Sequence, residues 1–470
     1  MAAKIVKVNE AYSILTDASD ELAETLRFEL SFFDQKAVYN RLYKIKEWNG
    51  RKDLFSVHDR KITNGLIVPT LKALGHDVTI GKEVAQLFSP VNLEWKSVYI
   101  TDKYKIAAHQ IRLIETAIKK RRAVLESATN SGKSLSLYVL TRACVEAGRR
   151  VLIVVPSIML VEQLMEDFLD YSDGTFSIEG MTGTIKPKNM NAIVSTWQSA
   201  VLKERSWLEQ FDTMFIDEAH MAAGNSLTSV ANACINANFR IGVTGSVLKD
   251  KLLQKQIESC FGPTIKIVDS KELVEVGFSA QITAKTIEVY HNEVEAQLDH
   301  HAETKIAAAS KNKQSIINEL VWKLQDQGDN TLILFSTIKQ CKDTAKILNA
   351  HVIIGQGQTG KQKTTSRADI KKQMDSNRGQ VLCATYGCLS TGVSIKEIDN
   401  LIIGSPISPN IKTSARLIQT IGRIARVSKT KKTATIYDPK DIFPHSSNLV
   451  ISHRKRMRIY ATQGVIVESL

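Results

Sequence analysis

The 470-residue chain is expected to be an α/β protein: two parallel-sheet lobes preceded by a small α/β N-terminal domain. Three observations predict this. Short apolar runs alternate with helical patterns from about residue 105 onwards, which is the pattern of parallel sheets built from βαβ units. The alternation comes in two stretches, one ending near residue 275 and one running from about Ala284 to Asp438. Residues 1 to about 95 follow a different pattern, and the length suffices for three domains. No Pro/Gly/Ser-rich linker or short-period repeat marks a boundary. The pattern itself therefore divides the chain into 1–95, 96–275, 276–450 and a basic C-terminal helix or tail, 451–470.

In the first segment, Val38 to Leu54 carries alternating apolar positions around Asn49-Gly50, a strong short-range hairpin signal. Leu66 to Leu74 reads as a short helix, followed by a strand around Asp77 to Ile80. Trp48, Arg51 and Lys52 at the turn suit a stacking and clamping role; the commoner arrangement is a tryptophan packed on its own sheet.

The second segment opens on chemistry. Ala123-Val124-Leu125 reads as a buried strand, and Leu135 to Val145 as a helix. Between them lies Ser127-Ala128-Thr129-Asn130-Ser131-Gly132-Lys133-Ser134. A loop from strand to helix aims free N–H groups and the positive helix end at an anion. Gly132 lets the backbone approach phosphates, Lys133 would reach the outer ones, and the Ser134 hydroxyl would ligate Mg²⁺. Ser127 stands where such loops usually begin with glycine.

Thr213-Met214-Phe215-Ile216 then runs into Asp217-Glu218-Ala219-His220, which places two acids at the carboxyl end of a buried strand. That edge binds ligands in open α/β sheets. Asp217 would hold Mg²⁺ through water, and Glu218 would orient or deprotonate the attacking water. An isolated Asp-Glu is more often a solvated strand end; after a phosphate loop, ATP hydrolysis is the reading.

Ser414 to Arg426 reads as a helix on which Gln419, Arg423 and Arg426 share one face. Such a face suits a transferring phosphoryl group better than a core, and a solvated basic helix is the plain alternative.

Gln-x-x-Gly-Arg-x-x-Arg after a phosphate loop and an Asp-Glu-Ala-His box resembles the superfamily 2 helicases and translocases. Other motifs of that superfamily follow in order. Val154-Val155-Pro156-Ser157, Thr182-Gly183 and Ser195-Thr196-Trp197-Gln198 look like nucleic-acid contacts of the first lobe. Thr244-Gly245-Ser246 looks like the motif coupling hydrolysis to lobe movement, and Leu334-Phe335-Ser336-Thr337 and Thr391-Gly392-Val393-Ser394 like the contacts of the second lobe. Gln110 lies where the family places an adenine-reading glutamine.

Within the superfamily, three stretches resemble the phage UvsW-type, RecG-like branch-migrating helicases. They are Trp48 to Arg51, Phe261-Gly262-Pro263 with Leu273 to Gly277, and Ala384 to Gly392. The resemblance implies RecA-like lobes with ATP and Mg²⁺ between them, and single-stranded and branched duplex DNA as partner, in recombination, repair or replication. Recombination or replication proteins are further partners it suggests. The oligomeric state is left open. An RNA helicase, or a duplex-DNA translocase serving a larger complex, is the alternative.

A formal charge of +13 and a pI near 9.3 suit a phosphate-rich partner. The basic runs are Lys119 to Arg122, read as a solvated helix end, Lys429 to Lys432, and Arg454 to Arg458 on a C-terminal helix. Six cysteines without a Cys-x-x-Cys pair argue against a zinc site and a disulfide framework. No apolar run approaches membrane-spanning length and no signal segment opens the chain, so the expectation is the cytoplasm of a bacterium or phage-infected cell.

Overall fold

The computed structural model describes residues 3–74, 78–183, 187, 191–221, 225–245, 250–292, 297–354, 367–389, 395–409, 411–428 and 431–468. It divides into two compact units, residues 1–127 with 132–268, and residues 128–131 with 269–470.

The first unit begins with strands β1 (Ala3–Lys7), β2 (Tyr12–Thr16), β3 (Ser31–Phe33), β4 (Arg51–Asp53), β5 (Phe55–Ser56), β6 (Lys61–Thr63) and β7 (Val78–Ile80). Five of them form a mixed sheet in the order β5-β6-β2-β1-β7, and β3 pairs with β4 apart from it. The helix Ile67–Leu74 and β7 fall where the sequence places them.

The expected hairpin around Asn49-Gly50 does not form. β4 pairs instead with β3, Phe33 opposite Arg51, and the connection between them carries a 3-10 turn, Gln35–Tyr39, and a short helix, Arg41–Lys44. Asp34 and Asn40 cause this by accepting the backbone N–H groups of Lys36 and Leu42, each at 2.9 Å, as N-caps do. Gly50, with φ of +76°, returns the chain to β4. Trp48 is half-buried and its indole Nε1 donates to the Arg51 carbonyl at 2.9 Å, so it is held by its own turn.

The second sheet of this unit comprises β8 (Arg122–Ser127), β9 (Val151–Val155), β10 (Glu179–Met181), β11 (Ala192–Thr196), β12 (Thr213–Ile216), β13 (Phe239–Thr244) and β14 (Thr264–Val268). Its order is β10-β11-β9-β12-β13-β8-β14, with every pairing parallel. Both faces are covered: Val151, Ile153 and Val155 enter one core cluster, Leu152 and Val154 another. That two-sided burial is why β9 reads as an unbroken apolar run.

The basic run before β8 needs correcting. Lys119 and Lys120 are exposed, but the helix Ala108–Lys120 stops there, Arg121 takes a φ of +60°, and Arg122 starts β8 fully buried. Its Nη2 donates to the Glu10 carboxylate at 2.6 Å and to the Glu10 carbonyl at 2.7 Å.

The second unit holds β15 (Gln281–Tyr290), β16 (Thr331–Phe335), β17 (His351–Ile353), β18 (Val381–Thr385), β19 (Asn400–Ile403), β20 (Thr433–Ile442) and β21 (Ile466–Glu468). They form a parallel sheet in the order β17-β18-β16-β19-β20-β15-β21. The helix Asn448–Thr462 lies against β20 and leads into β21. Arg456 on it is 2% exposed; Nε and Nη2 donate to the Asp438 carboxylate at 2.8 and 2.6 Å, and Nη1 to the Ile407 carbonyl at 2.8 Å. Of the basic run on this helix, therefore, Arg454, Lys455 and Arg458 face solvent and Arg456 does not.

Candidate active site

The carboxyl ends of β8, β12 and β13 gather the acids and the lysine in the first unit. β8 delivers Ser127, and Gly132 in the left-handed region (φ +74°) turns the chain into the helix Lys133–Glu146. Lys133 is 9% exposed, and its ammonium Nζ donates to the Ser127 carbonyl at 3.2 Å. Gln110 is buried; its Oε1 accepts the Ala107 N–H at 2.9 Å and its Nε2 donates to the Gly132 carbonyl at 3.4 Å. The glutamine is thus tied to the turn that opens the phosphate loop's helix. Ser134 lies 2.8 Å from the Tyr171 hydroxyl, a neighbour that no motif announces. Ala128, Thr129, Asn130 and Ser131 complete the loop; Ser131 donates its N–H to the Ala128 carbonyl at 3.1 Å, and Asn130 has a φ of +72°.

Asp217 follows β12 and is buried, its N–H donated to the Val154 carbonyl at 3.0 Å. Its Oδ1 accepts the Glu218 N–H at 2.8 Å. Burial, then the neighbouring Glu218 carboxylate, push the Asp217 carboxyl up to about 7 against the pull of the Lys133 ammonium. Glu218 has a φ of +51°, uncommon for a residue of its size. Its Oε2 lies 3.2 Å from His220 Nδ1, which also meets the Thr244 hydroxyl at 2.9 Å. Burial lowers the His220 pKa further below 6.5, so the ring is neutral near pH 7. Among the described residues, Glu218 Oε2 and His220 Nε2 are buried without a hydrogen-bond partner. Buried polar atoms are rarely left so. A triphosphate with its attacking water and a divalent cation fits this spot: it supplies partners to those atoms and a positive charge beside a carboxyl that resists ionising.

The other motif residues divide between capping and packing. Pro156 is buried, and the Ser157 hydroxyl caps the helix Ile158–Tyr171 by accepting the Leu160 N–H. Thr196 caps the helix Trp197–Ala200 through Ser199, and Ser199 Oγ accepts the Gly183 N–H at 3.1 Å. Ser199, which sequence reasoning missed, therefore joins the Thr182-Gly183 and Thr196-Trp197 motifs. Trp197 is half-buried against the core. Thr244 ends β13 beside His220, with Gly245 after it; Ser246 lies outside the described residues.

In the second unit, Ser336 and Thr337 are exposed at the end of β16. Thr337 caps the helix Ile338–Leu348, and the Ser336 N–H donates to Ser405 Oγ at 3.1 Å. Ser405, buried and bonded to Gln340 Oε1 at 2.9 Å, is a second missed support. Thr391 and Gly392 lie outside the described residues.

The helix Ile411–Ile424 carries Gln419 and Arg423, but it ends before Arg426, contrary to the helical reading of that stretch. The chain leaves the helix because the Ala425 carbonyl is taken by the Ala280 N–H at 2.7 Å, and Arg426 bridges to Ser279 as an extended segment. Gln419, Arg423 and Arg426 are all half-buried.

Comparison with known proteins agrees with this arrangement. The family described as type III restriction enzyme, res subunit, matches residues 103–248, and the helicase conserved C-terminal domain matches residues 312–428. The ATP-dependent DNA helicase uvsW of Enterobacteria phage T4 is 27% identical over 457 residues, which span 92% of this chain and 90% of that one. The crystal structure of T4 UvsW superposes with a TM-score of 0.52 at 23% identity, covering 100% of this chain and 99% of that one. S. cerevisiae Dbp5, solved bound to RNA and ADP BeF3, shares the fold at a TM-score of 0.53 and 15% identity, over 79% of this chain and 95% of its own. The two matched domains and the two parallel sheets define the class: the chain is an ATP-dependent helicase of superfamily 2. Within that class it is related to phage T4 UvsW. Among the described residues no helix is long and apolar enough to cross a membrane.

Proposed function

We propose that this helicase acts on DNA, and on branched DNA in particular, in recombination, repair or replication, within a bacterial or phage-infected cytoplasm. The observation that carries the reading of an ATP-driven motor is the group of buried Lys133 and Asp217 with half-buried Glu218 and His220 at the carboxyl edge of a parallel sheet, where two buried polar atoms lack partners among the described residues. The relative named as a DNA helicase points the substrate toward DNA, and the basic surface favours any polyanion.

In this reading Gln110 reads the adenine, the loop Ser127 to Ser134 cradles the phosphates, and Lys133 neutralises the outer ones. Ser134 and Asp217 would hold Mg²⁺, which would supply electrophilic charge when bound. Glu218 orients or deprotonates the attacking water, while neutral His220, whose Nδ1 meets the Thr244 hydroxyl, ties the Asp-Glu-Ala-His box to the coupling motif Thr244-Gly245-Ser246. Gln419 shares the face turned to the γ-phosphate, and Arg423 and Arg426 supply the charge that stabilises the transferring phosphoryl group. The contacts to phosphate and sugar are assigned to Pro156, Ser157, Thr182, Gly183, Thr196, Trp197, Ser336, Thr337, Thr391 and Gly392, which would make the motor indifferent to base sequence. Segment 1–95 selects the branch, with 96–275 and 276–450 as motor lobes; 451–470, expected as a basic helix or tail, completes the second lobe through the helix Asn448–Thr462 and β21.

The test is ATP hydrolysis by the purified chain alone and with single strands, linear duplex, matched RNA and a four-way DNA junction, with Lys133→Ala as control. Junction stimulation that vanishes in the variant, with a fall of at least about a hundredfold, is the expected result. Better stimulation by RNA overturns the substrate; equal stimulation by linear duplex and junction overturns branch selection.

A further inference from the structure

Lys431 is 3% exposed. It lies beyond the arginine-bearing helix, where the Ser428 N–H donates to the Lys431 carbonyl at 3.1 Å and the Lys431 N–H to Ser428 Oγ at 3.0 Å. Its ammonium reaches back into the fold and donates to the Ile424 carbonyl at 2.6 Å. Ile424 is the last residue of the helix Ile411–Ile424. Its carbonyl is one of the four that a helix leaves without an internal partner, at the negative end of the dipole.

The charge sits in a group of fixed charges. Asp399 and Glu397 face it and favour the ammonium; Arg426 and Arg378 oppose it. Arg378 in turn pairs with Asp399 at 3.0 Å and with Glu397 at 3.6 Å. A buried lysine is an expensive way to cap a helix when water or glycine would serve. The carbonyl it holds, that of Ile424, lies between Arg423 and Arg426 in the chain. The Ala425 carbonyl, held by the Ala280 N–H, fixes the adjoining peptide from the other side.

We propose that Lys431 is a positioning residue for ATP hydrolysis: by holding the Ile424 carbonyl it sets the spacing and aim of Arg423 and Arg426. It touches no substrate itself. The proposal rests on the reading of those arginines as stabilisers of the transferring phosphoryl group. A misplacement of about 1 Å in such a group costs on the order of a hundredfold in rate.

The experiment measures DNA-stimulated ATP turnover in Lys431→Met, Lys431→Arg, Arg423→Ala and Arg426→Ala across pH 6 to about 10. Lys431→Met should lower kcat about ten- to a hundredfold with KM for ATP little changed, since the phosphate loop is untouched. Burial lowers the ammonium's pKa to about 8, with Arg426 and Arg378 assisting and Asp399 and Glu397 resisting. Wild-type kcat should therefore fall as pH rises through about 8. Lys431→Met should lack that limb, and Lys431→Arg, which keeps its charge, should lack it while retaining turnover. If Lys431→Met does not fold, the Lys431→Arg profile decides alone: a limb unchanged from wild type overturns the proposal. If the arginine variants lose turnover and Lys431→Met keeps it, the proposal alone is overturned. If Arg423→Ala and Arg426→Ala hydrolyse at the wild-type rate, the reading of the arginines fails and the proposal falls with it.

Discussion

Glu218 pairs backbone strain with chemistry at a single residue. Its φ of +51° belongs to the left-handed region, which asparagine and glycine tolerate and glutamate resists. Strain of this kind costs on the order of 1–3 kcal/mol and persists where the surroundings over-determine it. Here the Asp217 carboxylate holds the Glu218 N–H and the Met221 N–H holds its carbonyl at 2.8 Å, so the backbone is pinned from both sides. Glu218→Asn should therefore leave stability unchanged or raise it by about 1 kcal/mol, measured by thermal unfolding. The same change should lower turnover at least about a hundredfold, because the shorter amide neither reaches nor deprotonates the water. Loss of both stability and turnover would show the glutamate to be a structural residue instead.

At the scale of elements, the sheet of the second unit carries buried ion pairs at the end of β20. Asp441, near the end of β20, accepts His291 Nε2 at 2.9 Å and the Lys313 ammonium at 2.7 Å, and all three are buried. Burial alone would raise the Asp441 carboxyl, but the Lys313 ammonium and the His291 contact outweigh it and hold the carboxyl below 3.8. A carboxyl held low in the fold stabilises it above its unfolded value and ceases to as pH falls through the depressed one. Acid melts between about pH 2 and 6 should show that loss for the wild type. Asp441→Asn should unfold more easily near pH 7, by about 3–5 kcal/mol, because Lys313 is left buried without its anion. It should also show a flatter acid dependence. These pairs explain which elements were legible in the sequence. β8 and β12 are apolar on both faces, so their strands stood out, as did Lys133, Asp217 and Glu218, whose spacing is local chemistry. The Asn49-Gly50 hairpin failed because Asp34 and Asn40 offered capping hydrogen bonds that no alternation pattern weighs. Arg122 and Arg456 looked like surface charge because their anions, Glu10 and Asp438, are supplied by other elements. The end of the arginine helix at Ile424 was hidden for the same reason, since it is set by Ala280 and Lys431.

For the whole molecule, the decisive contact lies between the N-terminal sheet and the first motor sheet, which belong to one compact unit. Glu10, in the turn between β1 and β2, is the acid that Arg122 pairs with, and its N–H donates to the Ile235 carbonyl at 3.0 Å. Arg122 is fully buried, and among the described residues its Nε and Nη1 have no hydrogen-bond partner. Burial pulls its pKa down to about 9, with Arg240 adding to the effect and Glu10 resisting it. A guanidinium stays charged in proteins, so the cost is borne as stability. Gly65 seals the same junction: a Cβ there would stand 2.0 Å from the Glu258 carbonyl oxygen. An accessory tethered beside the motor would leave the motor sheet electrically complete without it, and this one does not. Glu10→Gln should therefore lower stability by about 3–5 kcal/mol, read by urea or thermal unfolding, and adding Arg122→Met should recover much of the loss by removing the orphaned charge. Gly65→Ala should weaken the same docking with Arg122 untouched. It follows that a chain starting at residue 96 should lose ATPase activity through instability, whatever the N-terminal segment contributes to branch selection. Branch preference is then measurable only in the full chain, by replacing exposed residues of that segment. A residue-96 chain that melts like the whole protein would show that the Glu10–Arg122 pair contributes nothing to the motor.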